Sequence, residues 1–195
     1  MGRYGVEIMS AVSILGKGWI NGTGWGRVVQ GQQGTYGEGA GIPPWKDPEL
    51  FPVPVKNMGR FDAVARMTLC ACALAMRDAG WAFGDGVKRD VGLIGTNEEG
   101  CLAANKAYFQ DYLSGGRVLA RANLFVTTLP SSPLAEAAIH FGFQGPMLYS
   151  SQPGGGLDDV LETAAMMIEG GDASGMVAVQ ANAREAVAVV MGRIL

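Results

Sequence analysis

Charge is scarce in this chain. Only 17 % of its 195 residues are Asp, Glu, Lys or Arg, and the net charge is −3. No run of Lys and Arg builds a basic patch, which argues against nucleic acid as a partner. There is one histidine, His140, and there are three cysteines, Cys70, Cys72 and Cys101. They stand at no metal-ligand or redox spacing, so no metal and no cofactor is expected. Cys70 and Cys72 fall two apart on a predicted helix and face different ways. All three cysteines read as small buried apolar side chains. No apolar run reaches the roughly 18–20 residues that span a bilayer. The opening Met1-Gly2-Arg3-Tyr4-Gly5 lacks the apolar core of a signal peptide, and Val6 stands where a myristoylation start wants Ser or Thr. A cytoplasmic setting is the expectation. No internal repeat is visible.

Apolar side chains and glycine are what the chain has in quantity: 48 % hydrophobic residues and 30 glycines. The length suits a single domain over residues 1–195, with apolar surface left over for a partner. Residues 6–15 read as a first strand. Residues 16–59, rich in Gly, Pro and Trp, are too long for an ordinary connection. Trp19, Trp25, Trp45 and Phe51 make this stretch an ordered excursion over the domain or onto a partner. Its Gly22-Thr23-Gly24-Trp25-Gly26 joins no strand to a helix, so it is not a nucleotide loop. Residues 60–79 form a helix stopped by Gly80. Between Arg66 and Arg77 it is apolar nearly all round and must be buried on more than one side.

Residues 90–96 are a second strand, apolar enough for the middle of a parallel sheet. Glu98-Glu99-Gly100 open a helix to about Leu113, the two acids favouring its positive end. Residues 120–128 read as loop or extended chain. Residues 130–141 are helical, with Pro130 or Pro133 in the first turn. A third strand over 147–151 is followed by a helix over 156–169, closed by Gly170-Gly171. Strands over 175–181 and 185–194 close the chain, their short connection suiting antiparallel pairing. This alternation predicts an α/β fold, a mostly parallel sheet covered by helices.

The third strand runs into Ser151-Gln152-Pro153-Gly154-Gly155-Gly156, and a helix opens at once with Leu157-Asp158. Turns of this kind present a nucleophile at the positive end of a helix. No cysteine is on this turn. Ser150 and Ser151 lack the base and oxyanion hole that a serine nucleophile needs, since no G-x-S-x-G is present and His140 belongs to another element. No catalytic residue is therefore assigned to the degenerate turn Ser151, Gln152, Pro153, Gly154.

Several motifs fall in a telling order: Arg60-Phe61, Arg77-Asp78-Ala79-Gly80, Val91-Gly92-Leu93-Ile94-Gly95-Thr96, and Thr128-Leu129-Pro130-Ser131-Ser132-Pro133. Gly142-Phe143-Gln144-Gly145-Pro146 and Gly156-Leu157-Asp158 continue it. Over residues 60–183 the chain resembles the N-terminal half of the beta-ketoacyl synthase family, within the thiolase fold. The resemblance implies half of a thiolase fold: a five-stranded mixed sheet in the order 3-2-1-4-5, last strand antiparallel, with helices on both faces. In that family a cysteine on the turn carries the acyl chain as a thioester. Counting back four from Leu157 places it on Pro153; allowing one inserted glycine places it on Gln152. Glutamine there resembles the chain-length factors of type II polyketide systems. The family's two catalytic histidines belong to a C-terminal half that would begin beyond Leu195, and His140 matches neither.

The resemblance implies a non-catalytic, chain-length-factor-like subunit that pairs with an active ketosynthase in polyketide, aryl-polyene or fatty-acid-type biosynthesis. The partner would be a full-length ketosynthase or a second copy, joined through strand 147–151 with Met147 and Tyr149. An acyl carrier protein is a further partner of that family. Residues 124–129 would lie at the same interface, where Phe125, Thr128 and Leu129 limit the acyl chain; plain core packing is the alternative for these three. Two other functions stay open. One is a small decarboxylase or acyl-transfer enzyme in which the Gln152 turn hydrogen-bonds a thioester oxygen. The other is a homo-oligomeric acyl-binding or structural protein.

Overall fold

A computed structural model describes residues 12–35, 48–84, 87–119, 121–151 and 156–193. Its centre is a seven-stranded sheet in the order β3-β2-β1-β7-β6-β4-β5. β4 (Val91–Thr96) pairs in parallel with β5 (Met147–Ser150) on one side and β6 (Gly175–Ala181) on the other. β7 (Ala186–Arg193) returns antiparallel beside β6. The Asn182 side-chain oxygen sets that hairpin by accepting from the Arg184 and Glu185 amides at 2.8 and 3.0 Å. Asn favours turns for this reason.

The sheet corrects two expectations. Among the described residues it has seven strands, not five, because part of the Gly- and Trp-rich stretch joins it. β1 (Val12–Ile20) continues past the expected end at residue 15, and β2 (Gly24–Arg27) and β3 (Gln32–Thr35) follow as an antiparallel meander. Connections this short dictate antiparallel neighbours. Each Trp of the meander faces a glycine: Trp19 pairs with Gly26 and Trp25 with Gly34. A Cβ on either glycine would run into the facing indole. The strand order also differs from 3-2-1-4-5. β4 and β6 pair directly along their length and leave no room between them for β1, which lies antiparallel on the far side of β7. The last strand is antiparallel to its neighbours, as expected. Phe51 is buried and Trp25 packs against the same core, whereas residues 6–11 and Trp45 lie outside the described residues.

Helices cover both faces. α1 (Ala63–Asp78) and α4 (Ser132–Phe141) lie on one, α5 (Leu157–Gly170) on the other. β6 shows the division with the period of a strand: Val177 and Val179 join the α1 core, Met176 and Ala178 the α5 core. α1 is buried all round from Leu69 to Met76, as its composition predicts. Gly16 and Gly18 of β1 let it approach so closely, since a Cβ on either would meet the backbone of α1. The helix starts later than the pattern suggests because Asp62 caps it, accepting from the Ala65 amide at 2.8 Å.

At the other end of α1, the buried Asp78 carboxylate accepts from the backbone amides of Lys17, Val29 and Gln30, each at 2.8 Å. One side chain thus fastens the meander to the helix. Two further expectations shift. The helix assigned from residue 98 is α2 (Leu102–Leu119), broken at Gly116 (φ 69°), and the supposed loop 120–128 holds a short helix, α3 (Ala122–Val126). Among the described residues no helix is long and apolar enough to cross a membrane.

Candidate functional site

β4, β5 and β6 run in parallel and end level, with Thr96 beside both Ser150 and Gln180. The crevice beyond the carboxyl ends of such strands is where α/β sheets bind ligands. Here it is bounded by Thr96 and Asn97, by Val64 and Thr68 of α1, and by Leu134 of α4. Tyr149 stands next to Gly95 in register, so both face the α1 side of the sheet. Gly95 has no side chain, and Leu134 fills its place. The Tyr149 hydroxyl donates to the Asn97 side-chain oxygen at 3.0 Å and lies 3.4 Å from its main-chain carbonyl. Burial pushes this phenol above its usual range, with the Ser151 side chain opposing. About 10 Å³ is left between these groups. That is the room of one water molecule.

The turn beyond Tyr149 begins with Ser151, which is exposed; Gln152, Pro153 and Gly154 lie outside the described residues. α5 follows with Asp158 and Asp159 in its first turn, and the Gly156 amide donates to the Asp159 carboxylate at 2.9 Å. The positive end of α5 is thus met by its own acids.

No described thiol is prepared for attack. Cys70 and Cys72 are fully buried in α1, as expected of them. Burial pushes the Cys72 thiol up to about 12 and raises Cys70 further, with Cys72 beside it adding to the shift. Cys101 departs from the expectation of full burial: it is half-buried, just before α2. Its thiol is also raised, by burial first and then by the Asp62 carboxylate. A nucleophilic cysteine needs the opposite shift. His140 sits at the far end of α4 among the rings of Phe51, Phe83 and Phe141, with centroids 5.6, 6.4 and 4.9 Å away. Its Nε2 is buried without a hydrogen-bond partner, and burial lowers its pKa. It is a packing residue.

The expected interface residues divide. Met147 and its neighbour Leu148 are exposed at 42 % and 41 %, on a strand that pairs only with β4 among the described residues. Tyr149, a candidate for the interface or the acyl tunnel, lines the crevice. Phe125 and Leu129 are about half exposed, and the Phe125 ring packs against Tyr108 at 5.6 Å. Thr128 is half-buried, its hydroxyl donating to the Phe125 carbonyl at 2.7 Å. Pro130, the residue after Leu129, reaches the crevice beside Tyr149. Sequence reasoning missed Phe109 and Leu113, exposed at 59 % and 66 % on α2. Their spacing of four, which places both on one helix face, was the available signal.

The sequence model of the beta-ketoacyl synthase N-terminal domain matches residues 37–192. The chain belongs to the beta-ketoacyl synthase family. Solved structures of ketosynthases share its fold. A beta-ketoacyl synthase from Burkholderia phymatum STM815 is 14 % identical with a TM-score of 0.65, over 95 % of this chain and 60 % of that one. The ketosynthase ApeO in complex with its chain length factor ApeC, from Xenorhabdus doucetiae, is 14 % identical with a TM-score of 0.61, over 94 % and 79 %. A type II PKS acyl-carrier protein in complex with its ketosynthase bound to the hexaketide (AntDE:AntF) gives 13 % and 0.69, over 94 % and 63 %. The family member described here thus spans about 60 % of the length of the Burkholderia protein. No curated protein matches it.

Proposed function

We propose that this member of the beta-ketoacyl synthase family is a non-catalytic, chain-length-factor-like subunit that pairs with an active ketosynthase in polyketide, aryl-polyene or fatty-acid-type biosynthesis. One observation carries the reading: the turn between β5 and α5 reads Ser-Gln-Pro-Gly-Gly-Gly and holds no cysteine. Cys70 and Cys72 are buried within α1, and burial raises all three thiols elsewhere, which opposes the thiolate form. The exposed apolar side chains of β5, α2 and α3 support a partner, because such a flank is costly to leave in water. The solved complex of a ketosynthase with its chain length factor from Xenorhabdus doucetiae offers a precedent for the pairing. In the proposed pairing β5 would meet its counterpart, Phe125, Thr128 and Leu129 would border the growing acyl chain, and an acyl carrier protein would deliver it.

A second copy is the competing partner, because the outer edge of β5 is unpaired among the described residues. A decarboxylase working from the Gln152 turn has no such support. Co-expression with a ketosynthase encoded beside this protein, followed by size-exclusion chromatography, tests the reading. The two chains are expected to elute together at equal stoichiometry. A homodimer that ignores the ketosynthase overturns it.

A further inference from the structure

We propose that Tyr149 is a plug, latched by Asn97, that closes this chain's own acyl crevice. The inference rests on the subunit reading above and adds what becomes of the chain's own binding site. The crevice lies at the carboxyl ends of β4, β5 and β6. Its walls are largely aliphatic: Val64, Pro130, Pro133, Leu134 and Val179. Walls of that kind suit an alkyl chain, and the polar Thr96 and Asn97 stand at its strand end. Almost none of this space is open.

Two neighbouring positions account for the closure. Gly95 leaves a gap on the α1 face of the sheet, and Leu134 of α4 moves into it. Tyr149, beside Gly95 in register, lays its ring on the same face and joins the α1 core. Its hydroxyl reaches back to the residue that follows β4, donating to Asn97 at 3.0 Å. That bond ties the tip of the ring across the end of the crevice. The chain therefore keeps the walls of an acyl site while excluding the acyl group, which leaves the partner's site to hold it.

The test uses the chain alone, with octanoyl-N-acetylcysteamine as the probe and isothermal titration as the readout. Wild type is expected not to bind. Tyr149→Ala removes the ring and is expected to bind the probe saturably. Tyr149→Phe keeps the ring and removes only the latch, so it is expected to bind about tenfold more weakly than Tyr149→Ala but above wild type. Binding by wild type equal to that of Tyr149→Ala overturns the plug. So does a folded Tyr149→Ala that takes no probe. A Tyr149→Phe indistinguishable from wild type overturns the latch, and this variant carries the test if Tyr149→Ala fails to fold. Pairing with a ketosynthase is scored separately by co-elution, so either idea can fail without the other.

Discussion

The two flanks of α1 and β4 are built to opposite specifications. Where β1 and β7 pack on α1 the contact is closed, and on this side only Ile14 of β1 and the β2–β3 turn residues Val28 and Val29 expose large apolar side chains among the described residues. Eight consecutive residues of α1, from Leu69 to Met76, are at most 2 % exposed, and Asp78 satisfies three backbone amides where the meander meets the helix. Toward β5, α2 and α3 the molecule is open. Phe109, Leu113, Phe125, Leu129 and Met147 each expose two-fifths or more of their surface. The closed flank holds the fold by burial, with close packing that resists any change of volume. The open flank leaves apolar surface in water, the surface that the proposed pairing would cover. In the proposed pairing, fold retention and partner binding would fall to different sides of one sheet.

Substitution at the closed side should have the largest effect. Asp78→Ala removes the buried carboxylate that accepts from three part-buried backbone amides and is expected to cost about 2 kcal/mol, read as a lower urea midpoint. A loss under about 1 kcal/mol would erase the contrast between the flanks. At the open side, the pair Phe109→Glu and Leu113→Glu is expected to shift stability by no more than about 0.5 kcal/mol each while abolishing co-elution with the ketosynthase. A fall in stability as deep as that of Asp78→Ala would make α2 part of the core.

The pH dependence is smaller. Burial among aromatic rings lowers the His140 pKa below its ordinary 6.5. Stability is therefore full above that value and declines as the pH falls from it toward the folded pKa, because the unfolded chain takes up a proton first. The slope from this one group is at most about 1.4 kcal/mol per pH unit. His140→Phe should flatten the decline between pH 7 and 5. An unchanged slope would place the titration elsewhere. The gentlest effect is expected at the border with the partner: Phe125→Ala should change product length in the complex and leave the rate nearly intact. A fixed product length removes Phe125 from the acyl path.

Much of this was legible in the residues. The helix at 60–79 announced its all-round burial because so few polar side chains interrupt it, and 175–181 alternated between two cores as a central strand does. The meander was not legible. Its strands are short and glycine-rich, and their pairing rests on indoles lying over glycines of the facing strand, a long-range fit that no local pattern encodes. β1 was placed by family analogy at the centre of the sheet. The direct pairing of β4 with β6 displaced it, and pairing partners of that kind are tertiary choices. At the site, the missing cysteine was plain from the turn itself. Tyr149 read as a candidate for the interface or the acyl tunnel alike, because the strand's alternation could not say which face was buried. Asp78 looked like an ordinary helix end, since its partners lie 48 to 61 residues away.

The central claim is that this chain keeps the family's fold without a group able to attack a thioester. The most direct measurement is intact mass spectrometry of the purified chain after incubation with acyl- and malonyl-thioesters, with carbon dioxide release followed in parallel. An unmodified mass and no release beyond the buffer blank are predicted. A covalent acyl adduct on residues 151–156, or steady turnover by the chain alone, would contradict the account.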